Sequence, residues 1–185
     1  MTYDHHGQWD YGNPFTSPGC PEGNCLRSHI NNTETEQAFS MITKAGASGN
    51  KVIVGQALYG RSFQMTDPRC YTEMCTFTGP ESGATPGECT GTGGYISNVE
   101  IRDIINDPSR NVQQYYDNVA GDVLIYDGDQ WVSWMKPSTY AARGKLARGL
   151  GTGGLVDWAI DLNTTSNGDD PDDGGGGGSG VVNRS

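Results

Sequence analysis

The chain has 185 residues, enough for one domain with an ordinary hydrophobic core. Its 12 basic and 22 acidic residues give a formal net charge of −10, which argues against nucleic acid or an anionic membrane surface as a partner. No apolar run approaches the length of a membrane span. The first residues, Met1 to Asp4, lack the basic start and apolar core of a signal peptide.

The first third of the chain predicts one β-α-β unit. Residues 1–4 have the pattern of the end of a buried strand, and a long polar loop follows. The segment TETEQAFSMITKAG (33–46) places apolar residues on one helical face and acidic residues in the first turn. The run KVIVGQALYG (51–60) is almost continuously apolar and rich in β-branched residues, which predicts a strand buried on both faces.

The middle of the chain interrupts this alternation. A segment rich in cysteine and glycine (67–94) precedes a predicted helix over SNVEIRDII (97–105). Three short strand candidates follow, VQQYYD, DVLIYD and QWVSWM. This mixture predicts a small α+β insertion, which we place at residues 62–126.

The alternation of strand and helix then resumes. PSTYAARGKLARGLG (137–151) predicts a helix, with proline near its first turn and basic residues towards its end. GGLVDWAID (153–161) predicts a second buried strand. Residues 1–61 and 127–162 therefore predict an α/β fold, part of either a doubly wound sheet or a (β/α)8 TIM barrel.

The last segment, residues 163–185, contains five consecutive glycines and an acidic cluster but no large apolar side chain to bury. It predicts a disordered Gly/Asp-rich linker or tail. The acidic cluster lacks the ligand spacing of a calcium loop, so we read it as a solvated spacer and expect no metal or cofactor.

Five cysteines fall in two clusters, Cys20 and Cys25, then Cys70, Cys75 and Cys89. A zinc site would need four converging ligands, and the C-x4-C spacing has no matching C-x2-C partner. Disulfides suit these loops better, and N-x-[ST] sequons at Asn31, Asn163 and Asn183 agree with a secreted protein. We expect Cys20 to pair with Cys25, and Cys89 with either Cys70 or Cys75, which leaves one thiol over.

The ends of the three main predicted strands carry a common set of side chains. Working residues of a barrel lie at the C-terminal ends of its strands. That rim would carry Tyr3, Asp4, Tyr59, Arg61 and Trp158, and Met1 shares a face with Tyr3. Aromatic rings with a few hydrogen-bonding groups suit a sugar, and an uncharged polysaccharide is compatible with the acidic charge. Taken singly, each residue could instead serve packing, a turn or an ion pair.

Four ordered motifs make a more specific match. MTYDHHGQWD, VGQALYGRSF, YDGDQWVSW and GGLVDWAIDL resemble, in this order, the sixth strand, seventh strand, insertion and eighth strand of glycoside hydrolase family 18 chitinases. The resemblance runs from Met1 to about Leu162. The cysteine-rich loops resemble the fungal branch related to killer-toxin subunits.

This resemblance implies a substrate and a set of roles. Family 18 enzymes cleave chitin, a polymer of β-1,4-linked N-acetylglucosamine, with retention and with the substrate's acetamide as nucleophile. Tyr3 matches the tyrosine that hydrogen-bonds this acetamide, Asp4 its polar neighbour in the cleft, and Met1 the residue beneath the reacting sugar. The remaining matches are cleft-wall and floor contacts, with two further rim aromatics: Tyr59, Arg61, Trp158, Trp9 and Trp131.

One family motif has no counterpart. The family's proton-donating glutamate lies in a D-x-x-D-x-D-x-E run at the fourth strand, and this sequence contains no such run. We therefore expect a C-terminal fragment of a secreted, fungal chitinase, inactive alone, with strands six to eight only. The alternatives are a non-catalytic chitin- or glycan-binding module and a toxin-like subunit.

Overall fold

The computed structural model describes residues 1–163, which form three α-helices and seven strands. The helices are α1 (Asn32–Lys44), α2 (Asn98–Asn106) and α3 (Pro137–Gly149). The strands are β1 (Ile53–Ala57), β2 (Tyr59–Gln64), β3 (Ile96–Ser97), β4 (Gln113–Asp117), β5 (Gly121–Tyr126), β6 (Gln130–Trp134) and β7 (Gly154–Trp158). The tail predicted at residues 163–185 lies, apart from Asn163, outside the described residues.

Two sheets organise the chain. Strands β1 and β7 form a parallel pair, and the other five form an antiparallel sheet in the order β3-β2-β6-β5-β4. The run KVIVGQALYG, predicted as one strand, divides at Leu58 between these sheets. The Leu58 amide donates to the Trp158 carbonyl at 2.8 Å, and its carbonyl accepts from the Asn98 amide at 3.1 Å. The domain boundaries expected at residues 61 and 126 remain predictions. Strand β2 crosses the first of them, and β6, which belongs to the same sheet, lies beyond the second.

Both faces of the antiparallel sheet are covered. On one face, Phe63 and Trp131 pack with Phe77 from the disulfide-bonded loops. On the other, Val132 and Trp134 pack against Ile101 of α2. Helix α2 begins at a capping box, in which the Ser97 side chain accepts from the Glu100 amide and the Glu100 side chain accepts from the Ser97 amide. This sheet therefore completes its core within the described residues.

The parallel pair is covered unevenly. Four of the five residues of β1 are buried, but β7 is exposed along most of its length. Leu155 is 37% exposed, Val156 53% and Trp158 59%. The prediction that GGLVDWAID forms a buried strand is therefore wrong for this chain. Apolar residues on a parallel strand are buried only where other elements cover both faces, and within residues 1–163 the covering of β7 is incomplete.

Residues 1–4 do not form the strand end that was predicted. They lie beside β1, but side chains make the contacts in place of a backbone ladder: the Thr2 hydroxyl donates to the Gly55 carbonyl. A Cβ atom on Gly55 would lie 2.7 Å from the Tyr3 ring, so only glycine admits Tyr3 here. Asp4 then adopts a left-handed conformation, with φ of +59°, which turns the chain away from β1.

The cysteines follow the prediction in part. Cys20 is bonded to Cys25, as expected, but Cys70 is bonded to Cys75, so the predicted pairing of Cys89 is wrong. The Cα atoms of Cys70 and Cys75 are 5.4 Å apart across a tight loop, within the range a disulfide can span. Cys89 has an exposed free thiol, and its amide donates to the Glu100 carboxylate at 2.7 Å.

The sequon at Asn31 is part of the folded structure. Asn31 is buried, and its side chain caps α1 by accepting from the Glu34 amide at 3.2 Å. Asn163 accepts from the Asn98 amide group and from Arg102. The disulfides therefore support secretion more strongly than these sequons do.

Candidate functional site

Asp4 and Arg61 form a bidentate ion pair where the first residues meet the start of β2. Arg61 Nε donates to Asp4 Oδ1 at 2.9 Å, and its second amino group donates to Oδ2 at 2.8 Å. Both side chains are more than four-fifths buried. Paired, charge-assisted hydrogen bonds of this kind fix the plane of both groups.

The pair stays ionised over the whole ordinary pH range. Burial alone would raise the pKa of Asp4, but hydrogen bonds to His29, Arg61 and Tyr59 hold it well below its usual range. Burial lowers and the Asp4 carboxylate raises the pKa of Arg61, and the net direction is upward. Asp4 is therefore a fixed acceptor and not a proton donor.

Aromatic rings surround this ion pair. The Tyr59 ring lies 4.8 Å from that of Tyr95 and meets Tyr3 edge-on at 6.1 Å. Burial, followed by its hydrogen bond to Asp4, raises the pKa of Tyr59, so the phenol remains protonated. The Arg61 guanidinium lies 4.8 Å from the ring centre of Trp9, a cation–π contact.

Trp9 opens this cluster to solvent. Its indole is 49% exposed, and it folds back over Gly7, where a Cβ atom would lie 2.3 Å from the ring. Glycine at position 7 is therefore required for this arrangement. Trp9 is thus open to solvent, and its roles as a rim aromatic and in sugar binding remain predictions.

The other predicted site residues are distributed differently. Trp158, the last residue of β7, pairs in register with Ala57, the last residue of β1. Ala57 precedes Tyr59 by two positions. The Trp158 indole is 59% exposed, and Met1 is 84% exposed. Trp131, in contrast, is fully buried in the antiparallel sheet, and its indole nitrogen donates to the Tyr71 carbonyl at 2.9 Å. The prediction of Trp131 as a rim aromatic is therefore wrong, because both faces of β6 are covered and all of its residues are buried.

Sequence reasoning missed two members of the cluster, His29 and Tyr95. His29 is fully buried, and its ring lies 5.2 Å from that of Tyr59. Neither residue belongs to one of the strand-end motifs, and both reach the site from loops. A single histidine in CLRSHIN carries no spacing signal that would have identified it.

The cluster places one exposed aromatic ring, that of Trp9, beside fixed hydrogen-bonding groups, while Tyr3 and Tyr59 are buried. An open ring next to fixed polar groups suits a neutral hydroxylated ligand. Residues 1–163 contain no group of three or more His, Cys, Asp or Glu side chains arranged to hold a metal ion. Across the same residues, each helix is too short or too polar to cross a membrane.

Comparison with known proteins identifies the family. Residues 1–163 match the family model described as glycosyl hydrolases family 18. The chain belongs to this family. The motifs that carried the resemblance, from MTYD to GGLVDWAID, all lie within the matched residues.

Curated relatives within family 18 include fungal chitinases. The chain is 49% identical over 166 residues to a protein named secreted chitinase LysM12 of Penicillium expansum, a match that covers 88% of this chain and 11% of that protein. It is 35% identical to the killer toxin subunits alpha/beta of Kluyveromyces lactis, covering 87% of this chain and 13% of that protein. The chain thus spans about a tenth of the length of these relatives.

Solved structures of family 18 chitinases share the fold. Catalytic domain 2 of the Ostrinia furnacalis group II chitinase superposes with a TM-score of 0.68 and 25% identity, over 88% of this chain and 40% of that one. A class V chitinase mutant from Cycas revoluta, solved in complex with (GlcNAc)3, gives a TM-score of 0.69 at 19% identity, over 88% of this chain and 41% of that one. The chain therefore spans about two fifths of the solved domains.

Proposed function

We propose that this chain forms part of the sugar cleft of a secreted fungal chitinase that hydrolyses β-1,4-linked N-acetylglucosamine polymers. The observation that carries the proposal is the cluster of Asp4, Arg61 and Tyr59 beneath the exposed indole of Trp9. Family membership and relatives named as chitinases support the reaction class. The two disulfides and the name of a secreted relative support the extracellular location.

In this proposal, residues 1–61 and 127–162 supply strands six to eight of a (β/α)8 barrel, and residues 62–126 form its α+β insertion. The parallel pairing of β1 with β7 supports the barrel assignment, because neighbouring strands of such a barrel are parallel. A complete barrel has about 250 residues. The other strands, and the first half of the cleft, would come from residues outside this chain.

Each site residue has a proposed role. Tyr3 hydrogen-bonds the substrate acetamide, which attacks the anomeric carbon in place of a protein nucleophile. Asp4, Tyr59 and Arg61 form the wall of the cleft, and Met1 packs beneath the reacting sugar. Trp158 forms the floor of the cleavage subsite. The exposure of Met1 and Trp158 supports their roles, because apolar side chains open to solvent are available to the CH face of a sugar.

The chain alone should bind chitooligosaccharides without hydrolysing them. General acid catalysis contributes roughly 10²–10⁴-fold to such reactions, and the sequence contains no D-x-x-D-x-D-x-E run to supply the acid. We expect no turnover of chromogenic chitooligosaccharides by the purified chain. Reproducible hydrolysis, free of host chitinase, would contradict this expectation.

Binding is tested by titrating the chain with N-acetylchitotetraose in dilute solution and following tryptophan fluorescence. Cellotetraose, which lacks the acetamide groups, serves as the control ligand. We expect the acetamido sugar to bind more tightly, and Trp158→Ala to weaken its binding about tenfold, the loss of one good sugar contact. Tyr116→Ala, an exposed aromatic on β4, is the matched control and should have no effect. Equal binding of both sugars would overturn the proposal.

A second candidate is a non-catalytic glycan-binding module or a toxin-like subunit. The 35% identity to the killer toxin subunits alpha/beta supports this second candidate. The two functions differ in one measurement on the longest natural protein that contains this chain. Chitin hydrolysis by that protein supports the enzyme, and tight chitin binding without hydrolysis supports the module.

A further inference from the structure

His29 lies directly behind the proposed cleft wall, where three segments of the chain meet. It is fully buried in the loop that precedes α1. Its carbonyl accepts from the His5 amide at 3.1 Å, and its amide donates to the Ser133 hydroxyl of β6 at 3.4 Å. The backbone of His29 thus connects the first residues of the chain to the antiparallel sheet.

Of the two imidazole nitrogens, only Nδ1 has a hydrogen-bond partner among the described residues. Nδ1 accepts a hydrogen bond from the Asp4 amide at 3.4 Å, and Asp4 Oδ1 also lies 3.4 Å from it. Nε2 is buried and has no hydrogen-bond partner among the described residues. An aliphatic side chain would fill this space without leaving a buried nitrogen unpaired. The contact with Asp4 therefore gives a reason for histidine at this position that packing does not give.

Asp4 needs such support because of its backbone conformation. Its φ of +59° is uncommon for a residue other than glycine and must be held by surrounding contacts. Arg61 donates to both carboxylate oxygens, and Nδ1 of His29 accepts from the Asp4 amide. The same imidazole lies against the ring of Tyr59, which donates to Asp4.

The imidazole also stays neutral in this position. Burial lowers the pKa of His29 to about 4, although the Asp4 carboxylate opposes the shift, and Arg61 and Arg143 add to it. Because the imidazole is neutral, it does not compete with Arg61 as a cation for the Asp4 carboxylate. At ordinary pH the ion pair of the proposed cleft wall therefore consists of Asp4 and Arg61 alone.

We propose that His29 is a positioning residue of the sugar cleft: Nδ1 accepts from the Asp4 amide and holds Asp4 in its left-handed conformation. Asp4 in turn keeps Arg61, which lies against the exposed indole of Trp9, in the orientation that a sugar meets. The proposal rests on the proposed function for its ligand. Its geometric part, that His29 maintains the pairing of Asp4 with Arg61, is independent of any ligand.

The test compares two substitutions in the full 185-residue chain. His29→Leu fills the space but removes the contact with Asp4, whereas His29→Asn restores a polar group near the position of Nδ1. Val123→Ala, in the buried core of the antiparallel sheet, controls for a general loss of stability. Each variant is studied in dilute solution by two measurements, one with a sugar and one without.

The measurement without a sugar is the rate at which phenylglyoxal modifies Arg61, followed by peptide mapping. Arg61 should react slowly in the parent chain, because Asp4 holds one edge of its guanidinium and the remaining amino group donates to the Gly94 carbonyl at 3.5 Å. We expect His29→Leu to accelerate this reaction several-fold, and His29→Asn and Val123→Ala to leave it near the parent rate. An unchanged rate in His29→Leu, or equal acceleration in all three variants, would overturn the proposal.

The measurement with a sugar is the affinity for N-acetylchitotetraose. We expect His29→Leu to weaken binding about tenfold, the loss that corresponds to one hydrogen bond to a charged group, with His29→Asn restoring most of it. If the parent chain binds no sugar, the proposed function fails, while the reaction rate of Arg61 still decides the role of His29. Parent-like binding by His29→Leu in a chain that does bind the sugar overturns that role in the cleft.

Discussion

The antiparallel sheet and the parallel pair contain similar apolar sequences but differ in burial. DVLIYD and QWVSWM become β5 and β6, whose residues are almost all buried between α2 and the disulfide-bonded loops. GGLVDWAID becomes β7, most of which faces solvent. An apolar pattern thus indicates that a strand needs covering on both faces, but whether it is buried depends on the elements that the rest of the chain packs against it.

The largest expected difference between the two regions is the effect of removing a tryptophan side chain from each on the free energy of unfolding. Trp131→Ala removes a fully buried indole and its hydrogen bond to Tyr71, so we expect a loss of roughly 3–5 kcal/mol in the free energy of unfolding. Trp158→Ala, which removes a 59% exposed indole, should change it by less than about 0.5 kcal/mol. Urea denaturation measures both, and equal losses would contradict the difference between the two regions.

Hydrogen exchange should separate the two sheets residue by residue. Amides of β5 and β6 lie in the buried sheet and should exchange only on global unfolding, as in the core of a stable domain. Amides of β7 should exchange by local opening, because few side chains pack on that strand. Mass spectrometry or NMR measures these rates. Equal protection of Val132 and Val156 would show that the parallel pair is as stable as the larger sheet.

The open face of the parallel pair should cause self-association. Exposed apolar residues and an uncovered strand edge favour pairing with a second molecule. We expect Val156→Lys to shift the chain towards monomer in sedimentation velocity. Tyr116→Lys, at an equally exposed position on β4, is the matched control: Val156 and Tyr116 are both 53% exposed. An equal shift in the two variants would assign the effect to net charge and not to this face.

A smaller, pH-dependent effect should come from His6, which joins the first loop to α1. His6 contacts Asp10 at 2.8 Å and Glu34 at 3.1 Å. Burial lowers its pKa, but these hydrogen bonds raise it from 6.5 to about 9. The stabilisation is therefore complete below about pH 6.5 and is lost as the pH rises through about 9.

The measurement is the melting temperature of the parent chain and of His6→Gln between pH 6 and pH 10, about the range in which His6 titrates. We expect a difference of a few degrees at the acidic end that narrows as the pH rises. A difference that is constant across the pH range would show that the charge of His6 contributes nothing.

Local signals predicted the elements well. The segment SNVEIRDII carries its own capping residues, Ser97 and Glu100, and forms α2 within one residue of the prediction. Tyr3, Asp4, Tyr59 and Arg61 do lie together, as the strand-end motifs predicted, but not at the ends of adjacent parallel strands. Residues 1–4 form no strand, and Tyr59 and Arg61 belong to the antiparallel strand β2.

Features that depend on contacts between distant parts of the chain were not predicted. The exposure of β7 depends on which elements cover it, and its own sequence does not encode that. The pairing of Cys70 with Cys75 depends on loop geometry, and His29 reaches Asp4 across 25 positions of sequence without a motif. Trp131 was predicted as a rim aromatic from the family resemblance, but β6 is covered on both faces, so Trp131 is buried.

The division of one apolar run at Leu58 has a mechanical consequence. Residues on its N-terminal side belong to the parallel pair, and Tyr59 and Arg61 on its C-terminal side belong to the antiparallel sheet. A strand that changes sheets acts as a corner, and the two backbone hydrogen bonds of Leu58 join this corner to β7 and to α2. Because the Leu58 amide bonds the carbonyl of Trp158 itself, a change at this corner would alter the distance of Tyr59 and Arg61 from Trp158. The width of the proposed cleft therefore depends on Leu58, a buried residue outside the proposed set of sugar contacts.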